Sequence, residues 1–375
     1  MKISNWLAKP AAYLATCALA LTGFAVATAA PANAASDLVE LKRPVAAGST
    51  YEADLKKDAD FWTLGKMAAA GLNSDGNDEI APSGGWDELS APWTDQGLVS
   101  RTTGKLLTEY THTVGGKKVL SACSANVVTS ANKSVITSAG HCFKLAGVVM
   151  GAVIGDWEAT NVAFIPGFNG ANLPRDFDNS QPPGTDVAPY GVWPVTRVWM
   201  PSNWYYGANW VNGSDVAMAV VDNPYDSRPV EDVTGGQRIG FNQVSNPQTV
   251  YQFGYPTDNS RNWYSKGASN GDPSDRRNYD GRTMMYAHGT SFSDKYYYGN
   301  DLISAMSPGS SGGPWLKDFD PATGAGVQIG VTSRFSNAQG TIVPTAWLAG
   351  PALVSQGFGA VSQAMYEKAQ MATTN

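Results

Sequence analysis

An all-β fold is what this sequence predicts, on two observations of composition and one of pattern. The 375 residues include 40 Gly and 22 Pro, which divide a chain into many short elements joined by turns. The 12 Trp and 16 Tyr suit half-buried strand faces better than a helix bundle. From Gly104 onward the apolar runs are short, small and β-branched. At 43% hydrophobic and 15% charged, the chain can bury a large core and is no disordered acidic polymer. Its 26 basic and 32 acidic side chains leave a net charge of −6, which excludes a basic nucleic-acid binder.

Taken in order, the first 34 residues read as an export signal. Lys2 and Lys9 precede an Ala-rich apolar run, and Ala32-Asn33-Ala34 gives the small-residue pattern of a cleavage site. The expected product is secreted, with no membrane attachment after cleavage. Cys17 leaves with the signal, so Cys123 and Cys142 remain as an even pair in an oxidising setting and are expected to form one disulfide. Two cysteines without clustered histidines do not make a structural zinc site. Residues 35–103 differ in character from the remainder of the chain. They read as a pro-segment or an N-terminal extension, with a charged run at 51–58, then a short helix at 61–70 and a polar, Gly-rich stretch at 73–85. Packing of this block onto the main domain and its removal are both open.

Residues 121–129 and 134–137 flank the polar turn Ser130-Ala131-Asn132-Lys133 and read as a hairpin. Residues 217–221, 249–254 and 327–333 are further strands, and the Pro, Asn, Gly and Trp-rich passage 143–213 reads as elaborated loop. Spaced apolar residues at Val354, Phe358, Val361 and Met365 predict an amphipathic terminal helix over 353–370.

The chemistry centres on Gly309-Ser310-Ser311-Gly312-Gly313-Pro314. Flanking glycines allow a sharp turn that presents amides beside a serine hydroxyl, as an oxyanion requires. Taken alone, the hexapeptide is equally a functionless Ser/Gly loop or a nucleophile elbow. In the elbow fold, however, the histidine comes after the serine, whereas His112, His141 and His288 all precede Ser311. A serine also needs a base. His141 stands in Thr137-Ser138-Ala139-Gly140-His141-Cys142, after a β-branched run and beside the expected disulfide; His112 and His288 read as ordinary residues. Asp215, at the mouth of the apolar strand 217–221, is the candidate orienting carboxylate, with Asp156, Asp186 and Asp222 as spares.

These motifs together resemble the chymotrypsin-like (trypsin-like) serine peptidases, in their secreted bacterial form. The 137–142 segment is similar to the family's Thr-Ala-Ala-His-Cys, Asp215-Val216-Ala217 to its Asp-Ile-Ala, and 309–314 to its Gly-Asp-Ser-Gly-Gly-Pro, in the same order. The resemblance implies Ser311 as nucleophile, His141 as general base and Asp215 as orienting acid. It further implies the amides of Gly309 and Ser311 as the oxyanion hole, and a disulfide Cys123–Cys142. It places Ala305, Thr332 and Ser333 at the substrate pocket. The implied fold is two antiparallel six-stranded barrels, one over 104–235 carrying His141 and Asp215, the other over 236–375 carrying Ser311 and ending in the helix. The implied activity is endopeptidase cleavage of protein or peptide substrates through an acyl-enzyme, by a monomer, with no cofactor and no metal. Asp- and Asn-rich stretches such as 73–79 and 176–186 fit no calcium motif.

Departures from the pattern narrow the expectation. Ser310 replaces the acid before the nucleophile, which removes activation through a freed N-terminal ammonium. Ala305 replaces the acid that binds Lys or Arg in tryptic members, and Thr332 stands where glutamyl-specific relatives carry a histidine. The other function class is a silent, binding or envelope-associated module on the same fold. Trp199, Trp204, Tyr205, Tyr206 and Trp210 would offer it a recognition surface.

Overall fold

The computed structural model describes residues 37–70, 90–149, 152–174, 176–207, 214–257, 281–293, 299–304, 306–337 and 351–374. The expected signal segment, residues 73–79, Trp210 and Ala305 lie outside them. The described residues belong to one unit, Asn33–Asn375. Among them no helix is long and apolar enough to cross a membrane.

The extension supplies β1 (Leu38–Lys42), α1 (Tyr51–Phe61), α2 (Leu64–Ala70), β2 (Ala91–Pro92) and α3 (Leu98–Thr102). The first sheet comprises β3 (Thr103–His112), β4 (Lys118–Val127), β5 (Val135–Ser138), β6 (Lys144–Val149), β7 (Ala152–Pro166), β8 (Trp193–Pro201) and, after the short α4 (Ser202–Tyr205), β9 (Ala217–Val221). Helix α5 (Val230–Thr234) leads to the second sheet, made of β10 (Arg238–Ile239), β11 (Thr249–Gly254), β12 (Met285–Thr290), β13 (Phe292–Ser293), β14 (Asn300–Ile303), β15 (Pro314–Asp320), β16 (Ala325–Asn337) and β17 (Pro351–Gly357). Helix α6 (Ala360–Met371) ends the fold.

In the first sheet, β3, β4, β5, β9, β8 and β7 pair antiparallel in a ring, which closes through Ala163↔Pro194 and Phe164↔Trp193. Closure removes the free edges that an open sheet would expose. Strand β8 divides its outer side. Its first two residues close the ring with β7, and the stretch from Arg197 to Pro201 takes β1 in antiparallel register. In the second sheet β14, β17, β16, β15, β11 and β12 run in that order, with β12 and β14 brought together across the remaining side. The architecture is thus all-β in two six-stranded layers with a terminal helix, as a chymotrypsin-like chain implies.

The continuous apolar run of β9 has a simple cause: it is covered on both faces. Ala217, Ala219 and Val221 point into the first barrel's core, while Met218 and Val220 meet Met365 and Ala369 of α6. Strand β4 alternates in the same way. Cys123, Ala125 and Val127 enter the first core, whereas Ser124 and Asn126 are fully buried on the other side, toward the second sheet.

Two expectations need revision: the passage 143–213 is not all loop, because β6, β7 and β8 lie within it and pair into the first sheet, and the terminal helix starts later than its spaced apolar residues suggest. The terminal helix does not begin at 353: Leu353 and Val354 lie in β17, paired with β16 and β14, and the helix starts only after Gly359. Continuous burial over 353–357 and the Gly357-Phe358-Gly359 break separate the two elements, which the spaced apolar residues had merged. The extension, for its part, is built into the body. Trp62, Met67 and Val99 are completely buried in a cluster with Leu107 and Ala122 of the first sheet and Phe253, Tyr255 and Leu316 of the second. The Tyr51 hydroxyl lies 2.9 Å from Asp222 Oδ2 and 2.5 Å from the Thr374 carbonyl oxygen, tying α1 to the chain's far end.

Candidate active site

Strand β5 ends in a single helical turn, Gly140–Cys142, which carries His141. Four contacts fix this turn. The disulfide Cys123–Cys142 ties it to β4, with the two Cα atoms 6.1 Å apart. The Tyr110 hydroxyl donates to the His141 carbonyl at 2.7 Å, and Thr108 Oγ1 donates to the Cys142 carbonyl at 3.1 Å. Thr108 and Tyr110 are two apart on β3, so the pleat puts both hydroxyls on one face. Behind the turn Gly140 rests on the Trp204 indole, where a Cβ would stand 2.8 Å from Cδ1. Burial, with the charge of Asp215 adding to it, pushes the Tyr110 phenol up, so it remains a donor.

Asp215 is completely buried just before β9. Its Oδ2 accepts from His141 Nδ1 at 2.8 Å and from Ser333 Oγ at 2.6 Å, and its Oδ1 accepts from the His141 amide at 2.8 Å. Burial alone raises the carboxyl pKa. The His141 imidazole and the three hydrogen bonds outweigh burial and hold it below the usual carboxylate range. The charge is thereby kept, and the imidazole is held with its proton on Nδ1, toward the carboxylate.

The loop of Ser311 approaches from the second sheet. Its carbonyl accepts from the Ser124 amide at 2.7 Å and is 3.9 Å from Cys142 Sγ, which sets the loop against the turn bearing His141. Gly309 (φ 99°) and Gly312 (φ 80°) both occupy the left-handed region. A side chain at Gly312 would run into Ser138 Oγ, and at Gly309 a Cβ would lie 2.5 Å from the Tyr255 carbonyl. Ser310 is buried and donates its hydroxyl to the Ser307 carbonyl at 2.7 Å; Ser311 retains partial exposure. Among the described residues the amides of Gly309 and Ser311 donate to no protein acceptor.

Other expected positions fall differently. Thr332 does not offer its side chain to a pocket: its hydroxyl accepts from Gln252 Nε2 and Trp315 Nε1, both at 2.9 Å, inside the second sheet. The register sends it inward, while a bulge between Thr332 and Arg334 turns Ser333 toward Asp215. Ser333 is therefore a partner of the carboxylate, 3% exposed. His112 packs on Trp157, and His288 stacks on Tyr251 with ring centroids 4.8 Å apart. Asp222 takes the Tyr51 hydroxyl, and Asp186 is exposed. The aromatic group is split: Trp199 and Trp204 are buried, whereas Tyr206 is 79% exposed. Cys123, His141 and Cys142 cluster within 4.8 Å, but the two sulfurs are bonded to each other and offer no thiolate to a metal. Trp204, expected only in a recognition surface, instead backs the turn of His141; Tyr110 and Thr108 carry no motif, and the i, i+2 hydroxyls on a strand pairing with the cysteine strand are the available signal.

No family model matches the chain, and no curated protein matches it. Solved structures do. The chain is similar to the protease Anisep from Arthrobacter nicotinovorans at 25% identity, over 72% of this chain and 96% of that one, with a TM-score of 0.49. It is similar to the thermostable serine protease AL20 from an extremophilic microorganism at 23% identity, over 73% and 99%, with a TM-score of 0.49. A Glu endopeptidase structure matches at 14% identity over 76% and 98%, with a TM-score of 0.47.

Proposed function

We propose that the chain is a secreted serine endopeptidase, working through Ser311, His141 and Asp215. The observation that carries this reading is the doubly bonded pair of His141 and fully buried Asp215, with the glycine-framed Ser311 loop packed against the same turn. Ser311 Oγ adds to the substrate carbonyl carbon as its proton passes to His141 Nε2. Asp215 stabilises the imidazolium without taking the proton. The amides of Gly309 and Ser311 receive the oxyanion. The C–N bond then breaks, His141 returns the proton to the leaving amine, and an acyl-serine forms. Water attacks the ester by the same route in reverse, giving the acid and free Ser311.

Ala305 is uncharged where, by the resemblance, tryptic members carry an acid, so cleavage after Lys or Arg is disfavoured. Export rests on the expected signal at residues 1–34. The test is labelling with a fluorophosphonate. One adduct on Ser311, absent from Ser311→Ala and strongly slowed in His141→Ala, is the expected result. An unlabelled, folded protein would instead indicate the silent binding module.

A further inference from the structure

We infer that Ser124 and Thr257 are positioning residues that hold the two oxyanion amides open, an inference that rests on the peptidase reading above. A trans peptide is planar, so the direction of an N–H is set by the carbonyl of the same unit. The Gly309 amide shares its unit with the Pro308 carbonyl. That carbonyl accepts from the Thr257 amide at 2.7 Å and from Thr257 Oγ1 at 3.0 Å, which turns the Gly309 N–H to the opposite side. The Ser311 amide shares its unit with the Ser310 carbonyl, held by the Gly313 amide at 3.0 Å.

Ser124 fixes the units between and beyond. Its hydroxyl donates to the Gly309 carbonyl at 2.8 Å and accepts from the Tyr255 amide at 2.9 Å, while its own amide donates to the Ser311 carbonyl at 2.7 Å. Its carbonyl accepts from Ser138 Oγ at 2.9 Å. The carbonyls of residues 308 to 311 are thus each tethered, two of them by Ser124 alone. Ser124 is completely buried and Thr257 is 3% exposed, so water does not replace a lost hydroxyl. Gly309 has the backbone freedom to rotate once released. Every tether is neutral. With Ser310 bonded to Ser307, the loop is ordered by hydroxyls and main chain rather than by an ion pair.

The experiment compares the exported wild-type chain with Ser124→Ala, Thr257→Val and Thr257→Ser. Thr257→Val keeps the shape and removes the hydroxyl; Thr257→Ser returns it. The readouts are the rate of fluorophosphonate adduct formation on Ser311, kcat and KM on one casein-derived peptide, and thermal unfolding. Displacement of a catalytic group by an ångström costs up to about 100-fold, so Ser124→Ala and Thr257→Val are expected to lose roughly 10- to 100-fold in kcat with KM within about twofold. Thr257→Ser recovers most of the loss. Folded variants with kcat within about twofold of wild type, a rise in KM alone, or equal losses in Thr257→Ser and Thr257→Val would overturn the inference. Should Ser124→Ala not fold, the Thr257 pair decides. A wild type that forms no adduct overturns the peptidase reading itself, before any variant is compared.

Discussion

His141 engages both carboxylate oxygens of Asp215, one through its ring Nδ1 and one through its own backbone amide, each at 2.8 Å. A ring bond alone fixes the tautomer. The added amide bond fixes the main chain from which the ring projects, so the carboxylate holds the whole residue in register.

Asp215→Asn should therefore damage chemistry more than substrate binding. A carboxamide presents an N–H where the carboxylate accepts, favouring the wrong tautomer of His141. The expected loss in kcat is about 10³- to 10⁴-fold with KM little changed, read by steady-state kinetics on a peptide substrate.

Acid should destabilise the protein through two buried carboxylates. Asp215 is held low by His141 and Ser333 against the effect of its burial. For Glu109, burial raises the pKa, but bonds from Lys118, Asn161 and Thr160 outweigh it. Groups depressed in the folded state give stability that is complete above their unfolded values, about 4. It is lost as pH falls through their lower folded values. Urea midpoints should hold between pH 7 and 5 and drop steeply below about 4. Ser333→Ala removes one donor to Asp215 and should move that drop to higher pH.

Reduction of Cys123–Cys142, or the double alanine variant, should cost about 3 kcal/mol, the chain-entropy figure for a loop of this size; the cysteines are 19 residues apart. Because the bond anchors the turn of His141, activity should fall at temperatures where the reduced protein is still folded. Paired calorimetry and fluorophosphonate labelling check this.

Trp62→Ala removes a completely buried indole from the cluster shared by the extension and both sheets. A loss of about 3–5 kcal/mol is expected in chemical denaturation. N-terminal sequencing of the purified mature protein should find residues 38–70 still present. A mature form beginning at 104 with unchanged stability would contradict this.

The strands legible in sequence were those whose apolar residues have one environment along their length. Residues 217–221 and 249–254 form strands with those same bounds, because burial along most of their length writes itself into residue choice. His141 and Asp215 could be named because chemistry restricts the residue type at each place. Ser124, Thr108 and Tyr110 carry no such mark: a buried hydroxyl bonded to a distant carbonyl looks like any polar residue on a strand. The inward turn of Thr332 and the bulge that aims Ser333 at Asp215 are announced by no local pattern, and β1 escapes notice because its partner β8 is more than 150 positions away.

That pairing bears on behaviour in solution. Without residues 38–42, the stretch from Arg197 to Pro201 would expose a row of unmatched amides and carbonyls flanked by Val198, Trp199 and Met200. Such a row is an adhesive seam, ready to recruit a strand from another molecule. Beta-strand Leu38–Lys42 seals it and turns Glu40 and Lys42, two like-spaced and oppositely charged side chains, toward the rim. Trimming ahead of Leu38 should leave a monodisperse protein, whereas trimming past Lys42 should yield one whose light scattering grows with concentration.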